Sequence, residues 1–229
     1  MSEMKTIVVT GGTGGLGAAV VARLLGDYRT VVLYNRVEGY EALRARLGAP
    51  AELAGVKADL TDDAGVAAAI GKIAASTGGL YALVHLAGGF ASGTVEGTER
   101  GVWDQILSLN LLAAVFAFRA AIPHLRANGS GRIVAVASEA ALAKPAGMAA
   151  YTVSKSALCT LVELTAKELA GTGITVNAIA PGSLATPAMK GSGASGLIPL
   201  ERVAETIAFL VGDGAANVSG AVVPLRAGS

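Results

Sequence analysis

The chain has 229 residues, 52% hydrophobic and only 15% charged, so much of it must lie inside a folded core of domain size. A net charge of +1 without a Lys/Arg cluster excludes a nucleic-acid surface built on phosphate neutralisation. The start, MSEMKTIVVTGG, lacks the apolar stretch of a secretory signal, and runs such as LLAAVFAF (111–118) are short of a membrane span.

Cys159 is the only cysteine, which rules out an intrachain disulfide and reads as a small buried hydrophobe in mid-helix. These features predict a soluble, cytoplasmic protein with no membrane or nucleic-acid partner.

Short β-branched runs alternate with longer alanine-rich segments of helical period. TIVVT (6–10) predicts the first strand and residues 15–26 the first helix. TVVLY (30–34) is followed by a helix over 38–47, LAGVKA (53–58) by one over 62–76, and YALVHL (81–86) by a long one over 99–127. RIVAVAS (132–138) precedes a helix over 149–170, ITVNAI (174–179) one over 200–212, and AVVPL (221–225) ends the series.

Several strands are apolar at nearly every position, which requires cover on both faces. The alternation predicts one α/β domain over residues 1–229, a doubly wound Rossmann-type sheet of seven parallel strands flanked by helices on both faces. KGSGASG (190–196) reads as a flexible connector before the last helix. In such a sheet ligands bind beyond the carboxyl ends of the strands.

The first strand runs into TGGTGGLG (10–17) and then a helix. Glycines suit a tight turn that a pyrophosphate approaches and a helix N-terminus that presents bare N–H groups to negative charge. Gly12, Gly14 and Gly17 match G-x-G-x-x-G, while Thr10, Gly11, Gly15 and Gly17 match T-G-x-x-x-G-x-G. No Lys-Ser/Thr follows, so a P-loop triphosphatase is disfavoured.

After the second strand, Asn35 and Arg36 occupy the place where NAD binders often carry an acid for the ribose 2′-hydroxyl. A guanidinium pairs with a 2′-phosphate, which predicts NADP(H) with NAD(H) still possible; the bland reading of Arg36 is a solvated surface charge. Asp59 is either an acceptor for the adenine amino group or an N-cap of the next helix, with Thr61 as rival cap.

Tyr151 and Lys155 in YTVSK leave the same face of a predicted helix, one above the other. Ser138 ends the fifth strand, Asn110 interrupts the apolar stripe of WDQILSLNLLAAVFAF, and NAIAPGSLATP (177–187) places Pro-Gly past the sixth strand. Asn110 also fits a cap on a helix kink.

In this order and spacing the chain resembles the short-chain dehydrogenase/reductase family over nearly its whole length. The motifs are Thr10 to Gly17, Ala87-Gly88, Asn110, Ser138, Tyr151-x-x-x-Lys155, and Pro181-Gly182 through Thr186.

The resemblance implies hydride transfer between nicotinamide and a carbonyl or alcohol, with Asn110, Ser138, Tyr151 and Lys155 as a catalytic tetrad and no metal. It places cofactor contacts at Gly11, Thr13, Gly15, Leu16, Gly17, Asn35, Arg36, Asp59, Leu60, Ala87 and Gly88. Further contacts are expected from Tyr151, Lys155, Pro181, Gly182, Leu184 and Thr186.

The chemistry asks for these residue types. Hydride arriving at a carbonyl carbon leaves charge on oxygen, and a free tyrosine, with a pKa of about 10, is a poor base near neutrality. A lysine ammonium one turn away is expected to favour the phenolate, Ser138 to donate to the substrate oxygen, and Asn110 to hold a water that relays protons to Lys155.

Where the family has Asn-Asn-Ala-Gly, this chain has His85-Leu86-Ala87-Gly88, and His85 reads as a structural hydrogen-bonder. AGGFASG (87–93) also resembles the dihydropteridine-reductase branch. The segment after Thr186 is short for a family lid, so an open site walled by Phe90, Leu142 and Met148, or by a neighbouring subunit, is expected.

Surplus apolar residues on the helices over 99–127 and 149–170 predict a homodimer or homotetramer. A 3-oxoacyl reductase or general keto reductase is the expected activity, with a non-catalytic nucleotide sensor as the reading from another class.

Overall fold

The computed structural model describes residues 4–191 and 193–228. The seven predicted strands are β1 (Thr6–Thr10), β2 (Arg29–Tyr34), β3 (Leu53–Lys57), β4 (Ala82–His85), β5 (Gly131–Val136), β6 (Ile174–Pro181) and β7 (Val222–Leu225). They pair in parallel in the order β3-β2-β1-β4-β5-β6-β7.

The apolar strands alternate between two cores. Val8 of β1 and Ile133 and Ala135 of β5 face one core, while Ile7, Val9, Val134 and Val136 face the other. The first core is covered by α3 (Asp63–Thr77), α5 (Ala113–Ala127) and α7 (Ala149–Glu168). The second is covered by α1 (Gly15–Leu24), α2 (Val37–Arg46) and α9 (Leu200–Val211). The chain leaves β1 toward one face and β4 toward the other, so a crevice opens between these neighbours at their carboxyl ends.

The long helix predicted over 99–127 is not continuous. It comprises α4 (Arg100–Leu107), a π-helical turn over Ser108–Leu112, and then α5. A π turn inserts one extra residue into the helical ladder and re-aims the side chains it carries; here it carries Asn110, which is fully buried.

By length and composition alone the 28-residue run Arg100–Ala127 is apolar enough to cross a membrane. In this fold Ala113, Ala114, Ala117, Phe118, Ala121 and Leu125 of the run are instead buried in the first core.

Two short helices were not foreseen. β5 ends at Val136, and Ser138 caps α6 (Glu139–Ala143), its Oγ accepting from the Ala140 N–H at 3.2 Å. β6 runs past its predicted end to Pro181 because Ala180 and Pro181 find register partners in Pro224 and Leu225.

The predicted connector over 190–196 begins inside α8 (Pro187–Gly191), and its Ser192 lies outside the described residues. A bridge between Leu184 and Ile198 then brings the chain straight back, with Ala185 N–H donating to Ile198 O at 2.9 Å and Ile198 N–H to Ser183 O at 2.8 Å.

Candidate active site

The turn after β1 is built around close backbone approach. Gly11 has φ +68°, and a side chain there would meet the Ala87 backbone nitrogen at 2.7 Å; one at Gly17 would meet the Gly12 Cα at 2.6 Å. Gly14 caps α1 without a side-chain hydrogen bond, and no acidic residue lies in the first turn. The leading N–H groups therefore have no competing internal anion.

Thr13 lies against Gly39 near the start of α2, whose N-cap is Arg36. Asn35 and Arg36 are exposed, and Arg36 has no ion-pair partner among the described residues. On the other side of the turn, a side chain at Gly15 would begin 3.7 Å from Thr186 Cγ2.

Asp59 holds a local turn: its Oδ1 accepts from Thr61 N–H at 2.9 Å and Thr61 Oγ1 at 2.7 Å, which lowers the pKa of the carboxyl. The N-cap of α3 is Asp62, neither Asp59 nor Thr61. Leu60 is half-buried and packs against the first core.

At the end of β4, His85 and Thr10 join neighbouring strands through Nδ1 and Oγ1 at 2.9 Å. The imidazole is fully buried, edge-on to Phe118, with Nε2 unpartnered among the described residues. Burial, with a smaller contribution from the Lys155 charge, pushes its pKa down to about 3. A neutral, interior histidine fits the structural role expected of it.

Beyond His85 the chain turns through Ala87 and Gly88. A side chain at Gly88 would meet Asn110 Oδ1 at 2.7 Å and Lys155 Nζ at 3.2 Å, so this turn lies directly on the tetrad.

The four candidate residues converge. Asn110 Oδ1 accepts from Gly89 N–H at 2.7 Å, and its Nδ2 donates to Gly89 O at 3.0 Å and to Ser154 Oγ at 2.9 Å. Ser154 Oγ in turn donates to Tyr151 O at 2.7 Å. Asn110 therefore locks the Gly88-Gly89 turn to α7 beneath Tyr151. Beside the expected role of holding a water, its side chain has a structural one. Three internal partners occupy that side chain, and no sequence motif marked Ser154.

Lys155, 5% exposed, donates from Nζ to Val136 O at 2.8 Å at the end of β5. Burial pushes its pKa down to about 8. Tyr151 is half-buried; burial raises its pKa, and a side-chain hydrogen bond with Ser138 partly opposes that.

The expectation that Lys155 lowers the Tyr151 pKa is thus corrected: desolvation of the phenol outweighs the other influences, and the tyrosine is protonated at neutral pH. Phe90 rests edge-on against Tyr151, ring centroids 5.0 Å apart, while 62% of Phe90 is exposed.

Phe90, Ser138, Tyr151 and Lys155 line a cleft of about 720 Å³, while Asn110 lies buried behind it. Leu16 and Gly88 form part of its wall toward the glycine turn, with Ser138, Tyr151 and Lys155 on the β5 and α7 side and Pro181, Gly182, Leu184 and Thr186 closing it. Gly182 N–H donates to Leu225 O at 2.9 Å, and Thr186 Oγ1 accepts from Met189 N–H at 3.3 Å.

Phe90 and Met148 line the cleft as expected. Leu142 does not; it is 42% exposed because the short helix α6 turns it outward. Glu139, which sequence reasoning passed over, does line it.

Known proteins place this geometry. The family profile described as short chain dehydrogenase matches residues 5–195. Cis-4-hydroxycyclohexanecarboxylate dehydrogenase of Sinomonas cyclohexanicum is 33% identical over 98% of this chain and 96% of its own. An actinorhodin polyketide ketoreductase solved with NADPH superposes with a TM-score of 0.92 at 25% identity, covering 100% of this chain and 98% of that one.

A 3-ketoacyl-(acyl-carrier-protein) reductase from Brucella melitensis, complexed with NADH, gives 0.90 at 26% identity over 100% and 99%. The assignment does not need the likeness of residues 87–93 to the dihydropteridine branch. From sheet order to tetrad, the chain belongs to the short chain dehydrogenase family of oxidoreductases.

Proposed function

We propose that this chain reduces ketones, or oxidises the corresponding secondary alcohols, with NADP(H) as preferred nicotinamide. The observation that carries the reading is the meeting of Ser138, Tyr151 and Lys155 in one cleft whose wall reaches Leu16 of the glycine turn. Side chains at Gly11 and Gly17 would collide with backbone, so these glycines hold the turn tight, and the N-terminus of α1 behind it carries no acidic residue or side-chain cap, which fits a dinucleotide's pyrophosphate.

Gly11, Thr13, Gly15, Leu16 and Gly17 would hold the diphosphate, and Arg36 at the N-cap of α2 the adenosine 2′-phosphate. Pro181, Gly182, Leu184 and Thr186 would border the nicotinamide, and Asp59 the adenine. Once bound, the nicotinamide supplies hydride to the carbonyl carbon or receives it from the alcohol.

The remaining chemistry belongs to the chain. Tyr151 gives its phenolic proton to the carbonyl oxygen as negative charge develops there, and Ser138 steadies that oxygen with a hydrogen bond. Lys155 holds its amine beneath Gly88, its pKa near 8 making it ready to exchange a proton around neutrality. Asn110 positions rather than reacts: through Ser154 it fixes the first turn of α7, and through Gly89 the wall of the cleft.

The named relatives act on hydroxy acids or oxoacyl groups, which supports a keto reductase of small or acyl ketones. Leu112, Val153 and Leu164, 43–52% exposed on the π turn and α7, support a homodimer or homotetramer formed through these helices.

Following reduced-nicotinamide absorbance over a ketone panel, with both cofactors, tests the reading. Tyr151→Phe is expected to lower turnover by about 10²–10⁴-fold while cofactor affinity is kept. Two equally idle proteins would favour a nucleotide-binding sensor instead.

A further inference from the structure

The wall of the cleft next to Ser138 carries a carboxylate held in an ion pair. Glu139 lines the cleft, its side chain one-third exposed, and its position does not wander. Oε1 accepts from Arg226 Nε at 2.7 Å, and Oε2 is 2.9 Å from where a side chain at Gly182 would begin. One carboxylate oxygen is thus tied to the chain after β7 while the other abuts the Pro-Gly turn.

The only cation among the described lining residues is Lys155. It is 5% exposed and bonded to Val136 O, too deep and too engaged to receive a ligand carboxylate at the mouth. Lys144 and Lys190 neighbour lining residues in sequence, yet both are exposed and neither lines the cleft. Arg226, 69% exposed, does not line it either. The substrate side is otherwise apolar, with Phe90, Ala143, Pro145 and Met148.

A carboxylate-bearing ketone entering this cleft meets acceptor oxygens on a carboxylate that already occupies Arg226, and finds no free counter-ion, so its desolvation is uncompensated. A neutral ketone of the same shape meets apolar walls. Resting on the ketone-reductase reading, we infer that Glu139 makes this site selective for uncharged ketones, carbocyclic or aromatic, against keto acids.

The test uses one ring and two charges: 4-oxocyclohexanecarboxylate and its neutral primary amide. Steady-state kcat/KM is measured with NADPH, and binding by calorimetry to the protein loaded with NADP⁺. The amide is expected to exceed the carboxylate at least tenfold in both. In Glu139→Gln that ratio is expected to fall below threefold, mainly through the KM of the carboxylate.

Equal or better use of the carboxylate by the native protein, an unchanged ratio in Glu139→Gln, or binding of neither compound overturns the inference. Should the variant fail to fold, the native ratio alone still decides. Selective binding of the amide without turnover of either compound would sustain the charge filter and remove the reductase reading.

Discussion

Asn110 Nδ2 and Ser154 Oγ lie 2.9 Å apart, fully buried, and join the π turn of one helix to the second turn of another. Through that bond the peptide carbonyl of Tyr151 is held by the same network that holds the Gly88-Gly89 turn. Ser154→Ala removes the acceptor for Asn110 and leaves a buried amide N–H short of one partner. A loss of about 1–3 kcal/mol in stability is expected by urea unfolding. A drop of about tenfold in kcat is also expected, equivalent to about 1.4 kcal/mol of misplaced catalytic geometry, with cofactor affinity little changed.

Arg36 has no ion-pair partner among the described residues and stands at the N-cap of α2 next to the glycine turn. Arg36→Ser is expected to weaken NADP(H) by about tenfold or more while leaving NAD(H) within about twofold, because only the 2′-phosphate needs the guanidinium fork. Fluorescence titration with each reduced cofactor decides it; equal losses for both would assign Arg36 to another role.

Burial lowers the Lys155 pKa from 10.5 to about 8. Between those values the unfolded chain carries a proton on this lysine that the native state lacks, so stability rises with pH across that window. Below about pH 8 both states are protonated and the full desolvation penalty applies. Lys155→Met is expected to remove a slope amounting to about 3 kcal/mol over the interval, read as the difference between native and variant unfolding free energies.

His85 works at the other end of the scale. Its pKa is lowered from 6.5 to about 3, so the stability it contributes is complete above pH 6.5 and is lost as pH falls toward 3. The unfolded chain takes up the proton first, at an eventual difference of about 5 kcal/mol. His85→Asn keeps an acceptor for Thr10 and has no charge to gain. Its acid limb is expected to be flatter than that of the native protein in unfolding measurements from pH 7 to 4; parallel limbs would refute this.

Much of this protein could be read before folding it. Apolar strands that needed cover on both faces dictated a parallel sheet, and the glycine turn lies where TGGTGGLG placed it. Tyr151 and Lys155 share a helix face because four residues make one turn, a local relation that needs no tertiary information.

Other features depended on distance in space. The break at Ser108–Leu112 could not be read from WDQILSLNLLAAVFAF, because the partners of Asn110, Gly89 and Ser154, are 21 and 44 residues away. The direction of the Tyr151 pKa shift was set by how deeply the phenol is buried, and burial is a property of the packed chain. Glu139 followed a recognised serine without showing its purpose. Only the closure of β7 beside β6 brought Arg226 across 87 residues to hold its carboxylate in the cleft. Periodicity and backbone sterics act over a few residues and are written in the chain; desolvation and long-range hydrogen bonds exist only once remote segments meet.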